Sequence, residues 1–443
     1  MLIEYKVSNF KSIGHEVVFS MVPDDGIEIK PDDVIELTTR EGDKVNVLKK
    51  AVLFGANASG KTTLIESIEF LSGYLREDIN TGKVFNIPTF KGNFKDLEGI
   101  TSFDISFFSD AVIYRYELKL NSLGVVYEAL SYLSNDKYNC IFNRKEKDNQ
   151  IEVEGFDFFT PEERDIIPLL SKTIGNQQKA KSFLYKLHDN NVKSIEKAYA
   201  WLSGLIFVFP TSKYAVKAVR ISEDENYRMS LSNYLKKYDT GIEKTYADTS
   251  MSLDDAVTRY GMPRKVVEEI YEIAKKSESS DIGNLLEFDN DLFDIRIKNG
   301  KIVVCKIRNF HKLNNNEVTL DLTEESSGTR RLFDLIPLLD IVNHANVIFV
   351  DELDRSLHTA VVKAFLYDVI VKLTNTQFIF TSHNVNLLED NIFRFDEIWF
   401  LQKNKAGETK MCSLSEYNLP NERKKTLISD YLNGRFGGIP HIN

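Results

Sequence analysis

The sequence predicts an α/β protein in which a parallel sheet is arranged around a phosphate-binding loop. Three stretches carry that prediction. Residues 52–71 read VLFGANASGKTTLIESIEFL, an apolar strand, the pattern G-x-x-x-x-G-K-[ST] and then a helix of apolar periodicity. Residues 346–358 read NVIFVDELDRSLH, an apolar strand ending in two adjacent acids, and residues 376–388 read TQFIFTSHNVNLL, a further apolar strand ending in a small polar cluster.

The first stretch is the most specific. A glycine-rich turn between strand and helix aims backbone N–H groups and the positive end of the helix dipole at one spot, where a phosphate chain can sit. Gly55 and Gly60 suit the tight backbone, Lys61 is placed to reach the β- and γ-phosphates, and the Thr62 hydroxyl to coordinate the bridging magnesium ion. Thr63, the next residue, is counted with the nucleotide-binding set. Chance would supply about 0.02 such matches in a chain of this length. Ile65, Ile68 and Leu71 continue the helical pattern, with Leu64 on its buried side.

In the second stretch Asp351 ends the strand near the magnesium position, and Glu352 can face the γ-phosphate and polarise a water for in-line attack. Such a strand is equally well an ordinary buried one capped by solvated acids; its pairing with Lys61 selects the metal reading. His383 follows the next strand of the same sheet, whose carboxyl end opens on the ligand crevice, and is a candidate γ-phosphate sensor. Between the two, Val361, Val362, Phe365, Leu366, Val369 and Ile370 recur at the spacing of a core-facing helix, and His358 reads as a solvated or capping residue. Upstream, Ser326, Ser327, Gly328 and Thr329 precede another helical pattern and make a second phosphate-seeking helix start.

Composition bounds the rest. The 443 residues, 42% hydrophobic and 28% charged, suffice for two or three structural units. A net charge of −10 gives no support to a wholly basic nucleic-acid coat. Cys140, Cys305 and Cys412 are odd in number and lack metal-ligand spacing, which fits three ordinary thiols in a reducing compartment. Glu4 interrupts the first apolar stretch and no run approaches a bilayer span, so the expectation is a cytoplasmic protein without a membrane segment. The mixed-charge residues 144–155 read as a solvated turn, and residues 222–239 as a helix with solvated lysines.

Taken together, these elements resemble the ATP-binding-cassette (ABC) class of ATPases, in the soluble branch with SMC, RecF and overcoming-lysogenization-defect proteins. GANASGKT supplies Walker A with Asn57 in the usual GxNxxGK form, ESSGT a divergent signature loop, VIFVDELDRSLH the Walker B strand and D-loop, and TSHN the switch histidine. In YKVSNFKSIG the resemblance places Lys11 near the nucleotide. A nearer resemblance is to bacterial RloA-like ATPases and the AriA-like ATPase of the PARIS anti-phage system. It rests on IPTFKGNFKD at 87–96, the strands at 104–120 and 125–133, LKKYDTGI at 235–242 and YLNGRFGGIP at 431–440. ESSGT departs from the LSGGQ of transporters, though Ser326 and Gly328 keep the matching positions, and no glutamine stands out for the loop that usually follows Walker A.

The resemblance implies a P-loop NTPase of the ABC-ATPase head type with an antiparallel β lobe and a mainly helical insertion. Residues 1–140 would form the first half of the head, 150–300 the insertion and 301–443 the second half; no heptad pattern supports long coiled-coil arms. It further implies ATP and Mg2+ as cofactors, and a homodimer or higher homo-oligomer in which Ser326 and Gly328 of one head close over ATP held by Lys61 and Thr62 of another. Asp351 would hold magnesium, Glu352 activate water and His383 report the γ-phosphate. Function would then be that of a defence sensor and scaffold controlling a separate effector nuclease, with a RecF-like clamp acting directly on DNA as the alternative. The 60 residues after His383 contain no paired Glu and Asp-x-Asp constellation, which weighs against a built-in nuclease.

Overall fold

The structure is a computed structural model that describes residues 1–76, 87–92, 99–147, 150–177, 180–210, 224–248, 250–277, 284–289, 291–314, 316–388, 392–417, 419 and 426–439. Parts of four stretches singled out above lie outside these residues: 93–96, 148–149, 222–223 and 440. Contacts divide the chain into two units, one of Met1–Phe207, His344–Leu353 and Leu373–Asn443, the other of Val208–Asn343 and Asp354–Lys372.

The first unit carries two large sheets and the antiparallel pair Val34–Thr38 and Lys44–Leu48. Three strands of apolar sequence, Lys50–Gly55, Gln377–Thr381 and Val347–Val350, are buried along their whole length. Such continuous apolar runs suit parallel strands covered on both faces. They pair in parallel, with Ile398–Lys403 on the other side of Lys50–Gly55 and Thr409–Ser413 antiparallel at the edge. The second sheet is a seven-stranded antiparallel lobe in the order Gln150–Glu154, Lys137–Lys147, Gly124–Ser134, Val112–Asn121, Thr101–Ser109, Leu2–Ser8, Val17–Ser20. Here burial alternates, as Tyr116, Leu118 and Leu120 show, because one face meets the core.

Two buried polar groups tie the lobe to its surroundings, Gln377 to the parallel sheet and Glu128 to a helix. Gln377 accepts from the Leu2 N–H (2.6 Å) and donates to the carbonyls of Leu2 and Leu48 (both 3.0 Å). Glu128 accepts from Tyr116 (2.9 Å), Ser182 (2.7 Å) and the backbone N–H groups of Phe183 and Leu184 (2.7 and 3.0 Å) at the start of the helix Phe183–Asp189. Arg144 stands 3.4 Å from it and donates to the Lys181 carbonyl. Residues 144–147 and 150–154 are paired antiparallel strands and Arg144 is 1% exposed, so the solvated turn expected at 144–155 is corrected: most of the stretch extends the lobe, and the guanidinium is drawn in by a buried carboxylate. The helix Lys61–Arg76 buries Leu64, Ile65, Ile68 and Leu71, as its periodicity predicts, and Ser67 there accepts from Tyr5 of the lobe at 2.9 Å.

In the second unit Lys301–Leu313 lies between Ile242–Ala247 and Asp291–Lys298, with Asn284–Phe288 beyond the latter. Leu253–Tyr260 and Arg264–Ser277 send Ala256 and Ile270 into a core with Phe293, Ile295 and Val304. Lys236 and Lys237 are exposed, as expected, and pair at the surface with Glu243 and Asp368 at 2.5 Å each. Val362, Phe365, Leu366 and Val369 are buried on Thr359–Lys372, while Val361 and Ile370 are half-buried. Among the described residues no helix is long and apolar enough to cross a membrane.

Candidate nucleotide site

The site is built at the carboxyl end of Lys50–Gly55. Gly55 permits the turn because a Cβ there would lie 2.3 Å from the Leu401 carbonyl oxygen, and Gly60, at φ +111°, because a Cβ would lie 2.3 Å from Thr409 Oγ1. Thr409 Oγ1 donates to the Ser59 carbonyl (3.0 Å) and sits 2.9 Å from Ser12 Oγ, which donates to Thr63 Oγ1 (3.2 Å). The edge strand Thr409–Ser413 and the loop after the first strand therefore hold the glycine-rich turn from outside. Sequence reading found neither support, since no local pattern marks Ser12 or Thr409.

Lys61 is buried, and its Nζ donates to the carbonyls of Gly55 (2.7 Å) and Ala56 (3.1 Å), which folds the ammonium over the mouth of the turn. Asp351, 2% exposed, accepts from the Thr62 hydroxyl at 2.9 Å and from the Thr381 hydroxyl at 2.7 Å. Thr381 Oγ1 accepts in turn from the Glu352 N–H at 2.7 Å. Glu352 has φ +46°, a left-handed conformation that costs a side-chain-bearing residue free energy and is held by such surrounding bonds. One hydroxyl thus fixes both acids. The hydroxyl of Thr62 and the carboxylate of Asp351 are hard oxygen donors side by side, a set that fits magnesium completed by water and phosphate oxygens.

His383 is exposed and lines a cleft of about 720 Å³ together with Gly55, Asn57 and Ser59. Gly55, Asn57, Gly60, Lys61, Thr62, Thr63, Asp351, Glu352 and His383 thus all belong to the first unit. Lys11 pairs with Glu66 at 2.7 Å and lines a second cavity of about 740 Å³ with Ser12, Lys91 and Lys403. Beside it the Glu408 carboxyl would be raised by burial alone. The N–H and ring of His15 (ring Nδ1 at 2.7 Å), with Lys410 and Asn404, outweigh that and hold it at about 2.

Ser326 and Gly328 belong to the second unit. Ser326 caps the helix Ser327–Leu335, accepting from the Thr329 N–H at 3.1 Å, and a Cβ on Gly328 would lie 2.7 Å from the Ser356 carbonyl oxygen. The preceding Glu325 is buried and accepts from Asn309 (2.9 Å) and His311 (2.7 Å), an anchor the sequence did not single out. His358 Nδ1 accepts from the Ala360 N–H at the start of the next helix.

A glycine-rich turn closing a parallel strand, with a carboxylate from the end of the next strand but one held against the hydroxyl that follows its lysine, defines a P-loop ATPase of mixed α/β fold. Within that class, residues 50–389 match the family described as AAA domain, putative AbiEii toxin, Type IV TA system, and the chain belongs to that family. No curated protein matches it in sequence. Among solved structures it is similar to the SMC head domain from Thermotoga maritima, with 11% identity, a TM-score of 0.37 and coverage of 93% of this chain and 98% of that one. It is also similar to the Pyrococcus furiosus Smc head domain with an extended coiled coil bound to the C-terminal domain of ScpA, with 13% identity, a TM-score of 0.38 and coverage of 97% and 99%.

Proposed function

We propose that the chain binds ATP with magnesium and hydrolyses it as an ABC-type ATPase, between two copies of itself. The observation that best supports this is the double bonding of Asp351, which puts a buried carboxylate against Thr62 and, through Thr381, fixes the backbone of Glu352. Gly55, Asn57, Gly60, Lys61 and Thr63 would cradle the phosphates. Thr62 and Asp351 would hold magnesium, whose charge neutralises the phosphate oxygens when it is bound. Glu352 would accept the proton of the attacking water, and His383 would bond the γ-phosphate from the cleft. Ser326 and Gly328, on the second unit, would close over the phosphate held by a partner copy. In this reading residues 1–140 and 301–443 are the halves of one head and 150–300 its insertion.

The resemblance to RloA-like and AriA-like ATPases supports a finer reading. The head is a nucleotide-driven sensor and scaffold in anti-phage defence, acting in the cytoplasm and holding a separate effector nuclease. The toxin and toxin–antitoxin terms in the family description also fit a two-component system.

The test uses two variants. Lys61→Ala should lose ATP binding in a titration, and Glu352→Gln should bind ATP but release no phosphate, because an amide cannot accept the proton. Unchanged affinity in the first or normal turnover in the second refutes the assignment. Native mass spectrometry of ATP-bound Glu352→Gln, expressed with its neighbouring genes, then reads the assembly. A dimer carrying a second polypeptide supports the defence scaffold, and a dimer that takes up only DNA supports the clamp.

A further inference from the structure

The stretch YLNGRFGGI, residues 431–439, has no part in the chemistry above, yet it lies against the phosphate loop. The Tyr431 ring packs on Phe400 (centroids 5.2 Å) and on Phe54 (6.4 Å), the residue before Gly55, while Phe436 stacks on the same Phe400 (5.2 Å, 13°). From that aromatic seat the Tyr431 hydroxyl donates to the Gly438 carbonyl at 2.9 Å, a buried bond that sets the path of the last glycines. Gly438 has φ +70°, and a Cβ there would stand 3.3 Å from Gly55 Cα and 3.2 Å from the Leu401 carbonyl oxygen. At Gly437, φ +67°, a Cβ would stand 1.9 Å from Gln402 Oε1. Gly438 thus serves a close approach of backbone to backbone, and Gly437 one of backbone to the Gln402 side chain. Tyr431 and Gly438 also line the cleft that Gly55, Asn57 and His383 line.

We propose that residues 431–439 are a brace for the nucleotide site: the Tyr431–Gly438 bond presses the Gly438 backbone onto Gly55, pre-setting the first turn of the phosphate loop and walling the cleft. The proposal rests on the nucleotide reading above. Gly55 begins the run of N–H groups that meets the phosphates, so freedom at Gly55 is freedom of the cradle, and removing it before binding lowers the ordering cost of binding. Tyr431 and Gly438 are positioning residues. They add no charge and no proton acceptor to the reaction, so their loss should be felt in ATP affinity rather than in the chemical step.

The experiment compares three variants of the full chain by titration with a fluorescent ATP analogue, by steady-state phosphate release and by thermal melting. Gly438→Ala crowds the contact with Gly55. Tyr431→Phe keeps the ring in its seat and deletes the bond, so it tests the brace even where Gly438→Ala folds poorly. Gly300→Ala is the control: it places alanine at φ +72° in a hairpin turn with no atom within 4 Å of the added Cβ, giving the same backbone strain elsewhere.

The expected result is ATP binding about tenfold weaker in Gly438→Ala and about threefold weaker in Tyr431→Phe, with KM raised alike, kcat within about twofold, and Gly300→Ala at the wild-type value. The brace is overturned if both site variants bind as wild type does, if Gly300→Ala weakens binding as much, or if kcat falls while KM holds. Wild-type protein that binds no ATP would bring down the nucleotide reading and the brace together. Wild-type binding that Lys61→Ala abolishes and that both Gly438→Ala and Tyr431→Phe leave intact would refute the brace alone.

Discussion

Replacing Thr381 by valine would remove one oxygen and keep the shape of the side chain, so it isolates what that hydroxyl does for the two acids. Two bonds disappear: the one donated to the Asp351 carboxylate at 2.7 Å and the one accepted from the Glu352 N–H at 2.7 Å. A hydrogen bond to a charged group contributes about 1.5–3 kcal/mol and a neutral one about 1 kcal/mol, so the loss is roughly 2.5–4 kcal/mol. No cavity adds to this. Freed from Thr381, Glu352 can relax from φ +46°, a conformation that costs about 1–3 kcal/mol to hold. A carboxylate displaced by about 1 Å from its water loses about a hundredfold in rate.

The expectation for Thr381→Val is therefore a lower melting temperature and phosphate release about a hundredfold slower, with ATP affinity nearly kept, since Lys61 and the glycine-rich turn are untouched. Thr381→Ser restores the hydroxyl and should restore the rate. A Thr381→Val protein that melts and turns over as wild type does, while Glu352→Gln is dead, would show that Thr381 does not hold the acid in place.

Two further expectations follow from buried charges. Glu408, held at about 2 in the folded protein against an ordinary 4.5, contributes stability that is complete above 4.5 and is lost as pH falls from there towards 2. The melting-temperature gap between wild type and Glu408→Gln should thus be full at neutral pH and close in acid, and a gap independent of pH would contradict the bonding described. Glu128→Ala strips Tyr116, Ser182 and the start of Phe183–Asp189 of a shared acceptor and leaves the Arg144 guanidinium buried. It should cost about 3–5 kcal/mol, read as a large drop in melting temperature, and an unchanged melting curve would refute the network.

The sequence displayed the parallel core because its strands are buried on both faces and so read as unbroken apolar runs, each punctuated by its polar cluster. Lys61, Asp351 and His383 were legible for that reason, standing at the ends of Lys50–Gly55, Val347–Val350 and Gln377–Thr381. What stayed hidden depends on distant neighbours. The motif marks Gly60 as glycine, but nothing local says that Thr409 is what crowds it. Arg144 sits among charges of both signs and looks solvated, yet Glu128 draws it inside. The strands Asn284–Phe288 and Asp291–Lys298 lack strict alternation and went unmarked beside the stronger helical periods around them. The left-handed backbone of Glu352 leaves no trace in composition at all.

The strands beside Lys50–Gly55 begin at Gln377 and Ile398, and the hydroxyl of Thr409 reaches Ser59 across 350 positions of chain. A ribosome adding 5–20 residues per second needs about 20–70 s to travel that distance. For that interval the nascent phosphate loop has a helix behind it and no sheet around it. Loop closure over so long a separation is also slow. The phosphate loop is thus among the last parts of the molecule to take shape, and under the function proposed above a growing chain would be unable to grip ATP, or to engage a second copy through it, until most of the chain has been made.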